Sequence, residues 1–158
     1  MSYLAEDIRA VPAPRLRENP ARARRAPVLL VVEDGVKLSA ALLGICEFLR
    51  ISIETVGGSD DLDKALRRRR PMAVLAELDG RTQDGCYVMM RVADYDRSLP
   101  MMLLTTSSPS LIGAAEAVEG LCGLSSVTRR PVLPEVGEIV EFLFCAGRSG
   151  FCLGLLPA

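Results

Sequence analysis

Short apolar stretches, separated by segments of helical period, constrain this chain more than any other feature. Val28–Val32, residues 72–76 and Met101–Leu104 are unbroken apolar runs, which suit strands covered on both faces. After the first run, Leu38, Leu42, Ile45, Phe48 and Leu49 recur at helical spacing and predict a helix with those residues on one side. Ile51, Ile53 and Val56 mix with Ser52, Glu54 and Thr55, a pattern that belongs near a sheet edge. Gly57-Gly58 ends that strand. Ser59 is expected to cap a short helix with Asp60, Asp61 and Asp63 in its first turn and Arg67 to Arg70 in its last, which complements the helix dipole at both ends.

Residues 86–93 predict a third helix and residues 111–118 a fourth, capped by Ser107 or Ser108, with Pro109 at its first position and a stop at Gly120. Residues 124–128 form a weaker fifth strand, and Pro134 opens a last helix with Val136, Ile139, Val140 and Leu143 inside. Strand and helix therefore alternate with short connections. The expected fold is α/β: a doubly wound three-layer sandwich around a parallel sheet with right-handed crossovers.

A chain of 158 residues, 49% of them apolar and 25% charged, supports one domain with its own core and no second. Residues 27–146 are assigned to it. Nineteen basic and twenty acidic residues leave a formal charge of −1, so no global case exists for nucleic acid or an anionic membrane. Such a case has to be local, and the expectation is no direct DNA binding and no membrane association. The chain has no histidine, which excludes histidine-based catalysis, histidine metal sites and a histidine phosphotransfer role. Five scattered cysteines without a CxxC pair suit reduced thiols in the cytoplasm.

The two ends differ from the middle. Residues 1–26 carry six arginines and three prolines with few large apolar groups, and are read as a mobile, solvated arm. Residues 147–158 form an apolar tail in which Phe151, Leu153, Leu155 and Leu156 call for cover by the domain itself or by a second copy. A homodimer through the last helix and this tail is expected.

Open α/β sheets place their chemistry at the carboxyl ends of the strands. Here Glu33 and Asp34 follow the first strand, Glu77 ends the third with Asp79 just beyond, Thr105 ends the fourth, and Arg130 follows the fifth. Glu33, Asp34 and Glu77 make a hard oxygen set suited to Mg²⁺. Thr105 offers a hydroxyl and Arg130 a permanent positive charge, both suited to phosphoryl oxygens.

In this arrangement residues 27 to about 146 resemble the receiver domain of bacterial response regulators. The family's acidic pair after strand one is similar to Glu33-Asp34, and its strand-three block resembles Pro71 through Asp84-Gly85, with the phosphoacceptor position falling on Glu77. The family's switch Thr or Ser resembles Thr105, and its Lys-Pro after strand five is here Arg130-Pro131. The resemblance implies a flavodoxin-like fold with a five-stranded parallel sheet in the order 2-1-3-4-5. It implies a non-enzymatic role in two-component or phosphorelay signalling, with partners such as a sensor histidine kinase or a downstream regulator.

Three departures fall on the mechanism that the resemblance implies. Glu77 stands where the family has the aspartate that accepts phosphate, Arg130 replaces its lysine, and Val127 replaces its aromatic switch residue. Glutamate extends its carboxylate by about 1.5 Å, and displacements of about 1 Å cost on the order of a hundredfold in a positioned reaction. The expectation is a pseudo-receiver, in which Arg130 holds Glu77 as a bidentate pair and output is by protein contact. Two alternatives stay open: a conventional receiver phosphorylated on Asp79, and a small flavodoxin-like cofactor binder whose only phosphate-loop hint is residues 56–59.

Overall fold

The computed structural model describes residues 27–57, 60–80, 83–105 and 109–149. The arm at 1–26 and most of the apolar tail lie outside them. β1 (Val28–Val32) and β3 (Ala73–Glu77) each bury four of five residues, as strands with helices on both faces must. β2 (Ser52–Val56) buries only Val56, and β5 (Val127–Arg130) buries none fully. These sequences fix the order. β4 (Met101–Leu104) is wholly buried, and the sheet runs β2-β1-β3-β4-β5, all parallel, with the two polar strands at its edges.

Side chains alternate across the sheet and build two cores. Leu30, Val32, Val74, Ala76, Met101 and Leu103 face α2 (Leu62–Arg69), α3 (Gly85–Tyr95) and α4 (Pro109–Cys122). Leu29, Val31, Ala73, Leu75, Met102 and Leu104 face α1 (Lys37–Phe48) and α5 (Val136–Ser149). The three-layer sandwich and its 2-1-3-4-5 order are those expected.

Several local expectations are corrected. The buried stripe of α1 is Leu38, Leu42 and Cys46, and Phe48 is 87% exposed. Two positions beyond Cys46 is about 200° around the helix, so Phe48 points away from the core. Asp61, not Ser59, caps α2 by accepting from Lys64 N at 3.1 Å, and Ser59 lies outside the described residues, as do Ser107 and Ser108. α4 passes through Gly120 and ends where Gly123 takes φ +66°, the conformation that a stop needs. β5 starts at Val127 rather than residue 124, because Leu124 N is bonded to Glu119 O in the last turn of α4 and Ser125 N to Arg97 O in the connection between α3 and β4. Arg130 is consequently the last residue of β5 and not the one after it. Val136 is largely exposed, and α5 continues to Ser149 with Ala146 buried near its end.

Candidate functional site

β3 delivers Glu77 to the carboxyl edge of the sheet, and backbone bonds hold Leu78 and Gly85 on either side of the loop that follows. Leu78 N donates to Leu104 O at 2.8 Å, Gly85 N donates to Leu78 O at 3.0 Å, and Leu78 is fully buried. A Cβ on Gly85 would lie 2.7 Å from Leu103 Cδ1 and 2.8 Å from Leu78 Cα, so the Asp84-Gly85 turn admits no side chain at its second position. Asp84 caps α3 by accepting from Tyr87 N at 2.9 Å. Glu77 is half-buried and Asp79 exposed.

Glu77, Asp79 and Thr105 line one cavity of about 330 Å³ together with Lys37, Leu104 and residues 131–133. Burial pushes the Glu77 carboxyl up from its ordinary range, Asp79 and Glu33 push it further, Lys37 opposes them, and Asp34 adds a last upward push. Lys37, the first residue of α1, is the cation of this pocket among the described residues and was not legible as such. Only the start of α1 relative to the end of β3 reveals it.

Glu33 is placed differently from the expectation of a metal ligand. Its carboxylate is buried and accepts from Leu38 N at 2.8 Å through Oε2, and from Ser39 N at 3.0 Å and Ser39 Oγ at 2.7 Å through Oε1. Val36 at the start of α1 supplies no side-chain cap, so Glu33 satisfies that helix end and meets its positive dipole from outside. Asp34 is exposed. Among the described residues no group of three or more Asp, Glu, Cys or His side chains is arranged to hold a metal. Glu33, Asp34 and Glu77 as placed do not fit a three-carboxylate Mg²⁺ site.

Arg130 is also corrected. Its Nε lies 3.2 Å from Glu138 Oε2 of α5, with both side chains about half exposed, and it borders a separate cavity beside Cys145. It does not hold Glu77. Register gives the reason: Glu77, Leu104 and Arg130 share one row across β3, β4 and β5. That puts Leu104 between the two charges and their backbones about 10 Å apart. Arg130 serves the site through its backbone, where its carbonyl accepts from Thr105 N at 2.8 Å and Thr105 Oγ1 at 3.4 Å. Val127, in the row of Met101, is half-buried against the first core.

Gly57, which follows β2, is tied to Asp60. Gly57 N donates to Asp60 Oδ2 at 3.1 Å, Asp60 N donates to Gly57 O at 2.9 Å, and a Cβ on Gly57 would strike Glu33 O at 2.3 Å. The Asp60 carboxylate disfavours a phosphate there. Cys46 is buried and its thiol is pushed up to about 11 by that burial, which makes it an unreactive core group. Among the described residues no helix is long and apolar enough to cross a membrane.

No protein-family model matches this chain, and no curated protein matches it. Solved structures do. The N-terminal signal receiver domain of a two-component response regulator from Bacteroides fragilis is 20% identical over 77% of this chain and 96% of its own, with a TM-score of 0.59. A response regulator receiver domain protein from Clostridium thermocellum is 15% identical over 80% and 98%, with a TM-score of 0.62. The receiver domain of a sensor histidine kinase from Pseudomonas aeruginosa, with magnesium coordinated in its active site cleft, is 17% identical over 75% and 94%, with a TM-score of 0.56. These structural neighbours are receiver domains, and the described residues have their flavodoxin-like fold.

Proposed function

We propose that this chain is an atypical receiver, a pseudo-receiver that acts in two-component or phosphorelay signalling through protein contact, with phosphoryl transfer at the usual position lost or much weakened. The observation that carries this reading is Glu77. It ends the central strand, half-buried, in a pocket that also holds Lys37, so a standing carboxylate occupies the place of an acceptor. One extra methylene displaces it by about 1.5 Å from where an aspartate would react, enough to cost on the order of a hundredfold. Glu33 is already engaged by α1, which removes one carboxylate from any Mg²⁺ set. The role is non-enzymatic, the compartment cytoplasmic, and the partner a sensor kinase or downstream regulator that recognises the surface.

A second reading is favoured by one observation: Asp79 is exposed and lines the same pocket as Thr105. It makes the chain a conventional receiver phosphorylated on Asp79. Phosphoramidate with Mg²⁺ separates the two. No acid-labile phosphate on the wild-type chain supports the pseudo-receiver; label that survives Glu77→Gln and vanishes in Asp79→Asn establishes the second reading. Beryllium fluoride with Mg²⁺ gives an independent view, since coordinated amide shifts at Glu77, Asp79 and Thr105 would mean that the pocket still takes a phosphoryl mimic. Self-association through α5 and the apolar tail is part of the proposal, and a chain ending at Ser149 that sediments like the full chain would remove it.

A further inference from the structure

The sheet has a second edge, the one where its strands begin, and there the charge is reversed. Ser52 N donates to Pro27 O and Met72 N to Val28 O, both at 2.8 Å, so the starts of β2, β1 and β3 lie side by side. Arg50 precedes β2, and Arg67 to Arg70 precede β3. Arg50 and Arg70 thus flank the start of β1, about 10 Å apart by strand spacing. Arg50, Arg67, Arg68, Arg69 and Arg70 are all exposed. Arg69 is paired with Glu54 at 3.2 Å, and the other four have no carboxylate partner among the described residues.

Backbone conformation is the second observation. Arg50 and Arg70 are the non-glycine residues with positive φ among those described, +58° and +48°. Each sits just past a helix end, where glycine or asparagine is the unstrained choice. Arg50 occupies that place in a turn closed by Ile51 N donating to Cys46 O at 2.8 Å, and Arg70 N donates to Leu66 O at 3.0 Å. Local folding prefers glycine at both positions, so the arginines answer to something other than the turn. At α2 the helix dipole is already complemented by Arg67, Arg68 and Arg69 in the last turn, so Arg70 is not needed for it.

We propose that this arginine-lined edge binds the phosphate backbone of single-stranded nucleic acid. Forked guanidiniums match phosphate oxygens two at a time; Arg50 and Arg70, with Arg67 one helical turn before the latter, stand on either side of the start of β1, while Arg68 and Arg69 border a cavity with Glu54, Asp60 and Asp61. Phe48, 87% exposed and two residues before Arg50, offers a ring for a base to stack on. A lipid surface calls for an apolar helix face at this edge, and the neighbour of Phe48 is the exposed Glu47. An acidic peptide would have no use for the ring. The net charge of −1 hides this site because the opposite edge gathers Asp34, Glu77, Asp79 and Asp84.

The test is fluorescence anisotropy of a labelled oligouridine with the full chain at low and moderate KCl. The double variant Arg50→Gly, Arg70→Gly is expected to bind about fivefold or more weakly at low salt and to lose part of the salt dependence, about 0.7 in log–log slope per phosphate contact removed. Its melting temperature should be unchanged or higher, because glycine relieves both turns. Phe48→Ala should weaken binding with the salt slope intact. The proposal is overturned if the double variant binds like wild type, if polyglutamate competes as well as unlabelled oligouridine, or if phosphatidylserine vesicles bind the chain and oligouridine does not.

Discussion

β3 and β5 both end in a charged residue on the same face and edge of the sheet, yet the two charges have different fates. Glu77 lies at the end of a strand with neighbours on both sides, is half-buried, and has its ionisation altered by what surrounds it. Arg130 lies at the end of an edge strand, is about half exposed, and is paired with Glu138 from the helix overhead. Strand position decides which charge is built into a site. A central strand has backbone on both sides and a cavity above; an edge strand has water on one side, which screens its charge.

The largest break in this comparison comes from the loop that holds the β3 end. Gly85→Ala forces a Cβ into Leu103 and the Leu78 backbone at under 3 Å. Overpacking of a rigid core costs about 1–3 kcal/mol, and contact with backbone puts this case at the upper end. Urea unfolding should show it, together with large amide shifts at residues 77–79 and little change at β5. Next comes Glu33→Ala, which strips three hydrogen bonds from the start of α1. The expected loss is about 2 kcal/mol by the same melt, in the range for a lost cap and buried charged hydrogen bonds. Glu33→Gln should recover part of it, since an amide still accepts one bond. A Glu33→Ala chain as stable as wild type would mean that the carboxylate is spare and available to a metal.

Much of this could be read in advance, and the exceptions have physical causes. β1 and β4 are placed to the residue because an unbroken apolar run has no other use in a chain of this size. Glu77 is legible for the same reason, as the first charge after such a run. β5 slips by three residues because Val127–Arg130 is itself polar and only its pairing with β4 identifies it as a strand. Arg130 is misjudged with it. Whether that side chain meets Glu77 depends on what stands between them in register, and Leu104 does. Lys37 and the capping role of Glu33 depend on where α1 starts in space, which periodicity leaves uncertain by a turn.

Smaller effects sharpen the contrast through ionisation. The folded chain binds a proton at Glu77 more tightly than the unfolded chain does, so stability from this group is present at acid pH. It is lost as pH rises from the ordinary value of 4.5 through the raised one. Glu77→Gln removes that dependence. The variant should match wild type below the ordinary value and exceed it at neutral pH, by under about 1 kcal/mol because the group is partly solvated. Parallel stability curves for the two chains would mean that Lys37 cancels burial and the neighbouring carboxylates outright.

The smallest change belongs to the edge strand and is the most discriminating. Glu138→Ala removes the partner of Arg130, an exposed pair at 3.2 Å, and should cost under about 0.5 kcal/mol. Its value lies in what happens at Glu77. If Glu138 alone keeps Arg130 away, the freed guanidinium swings toward the pocket and lowers the Glu77 midpoint in a carboxyl-detected titration. If the register keeps it away, that midpoint stays where it was and the Thr105 amide, bonded to the Arg130 carbonyl at 2.8 Å, does not shift. The second outcome is expected. The backbones are about 10 Å apart with Leu104 between them, and bringing Arg130 to Glu77 would carry a hydrated charge over an apolar residue for an ion pair that water already screens.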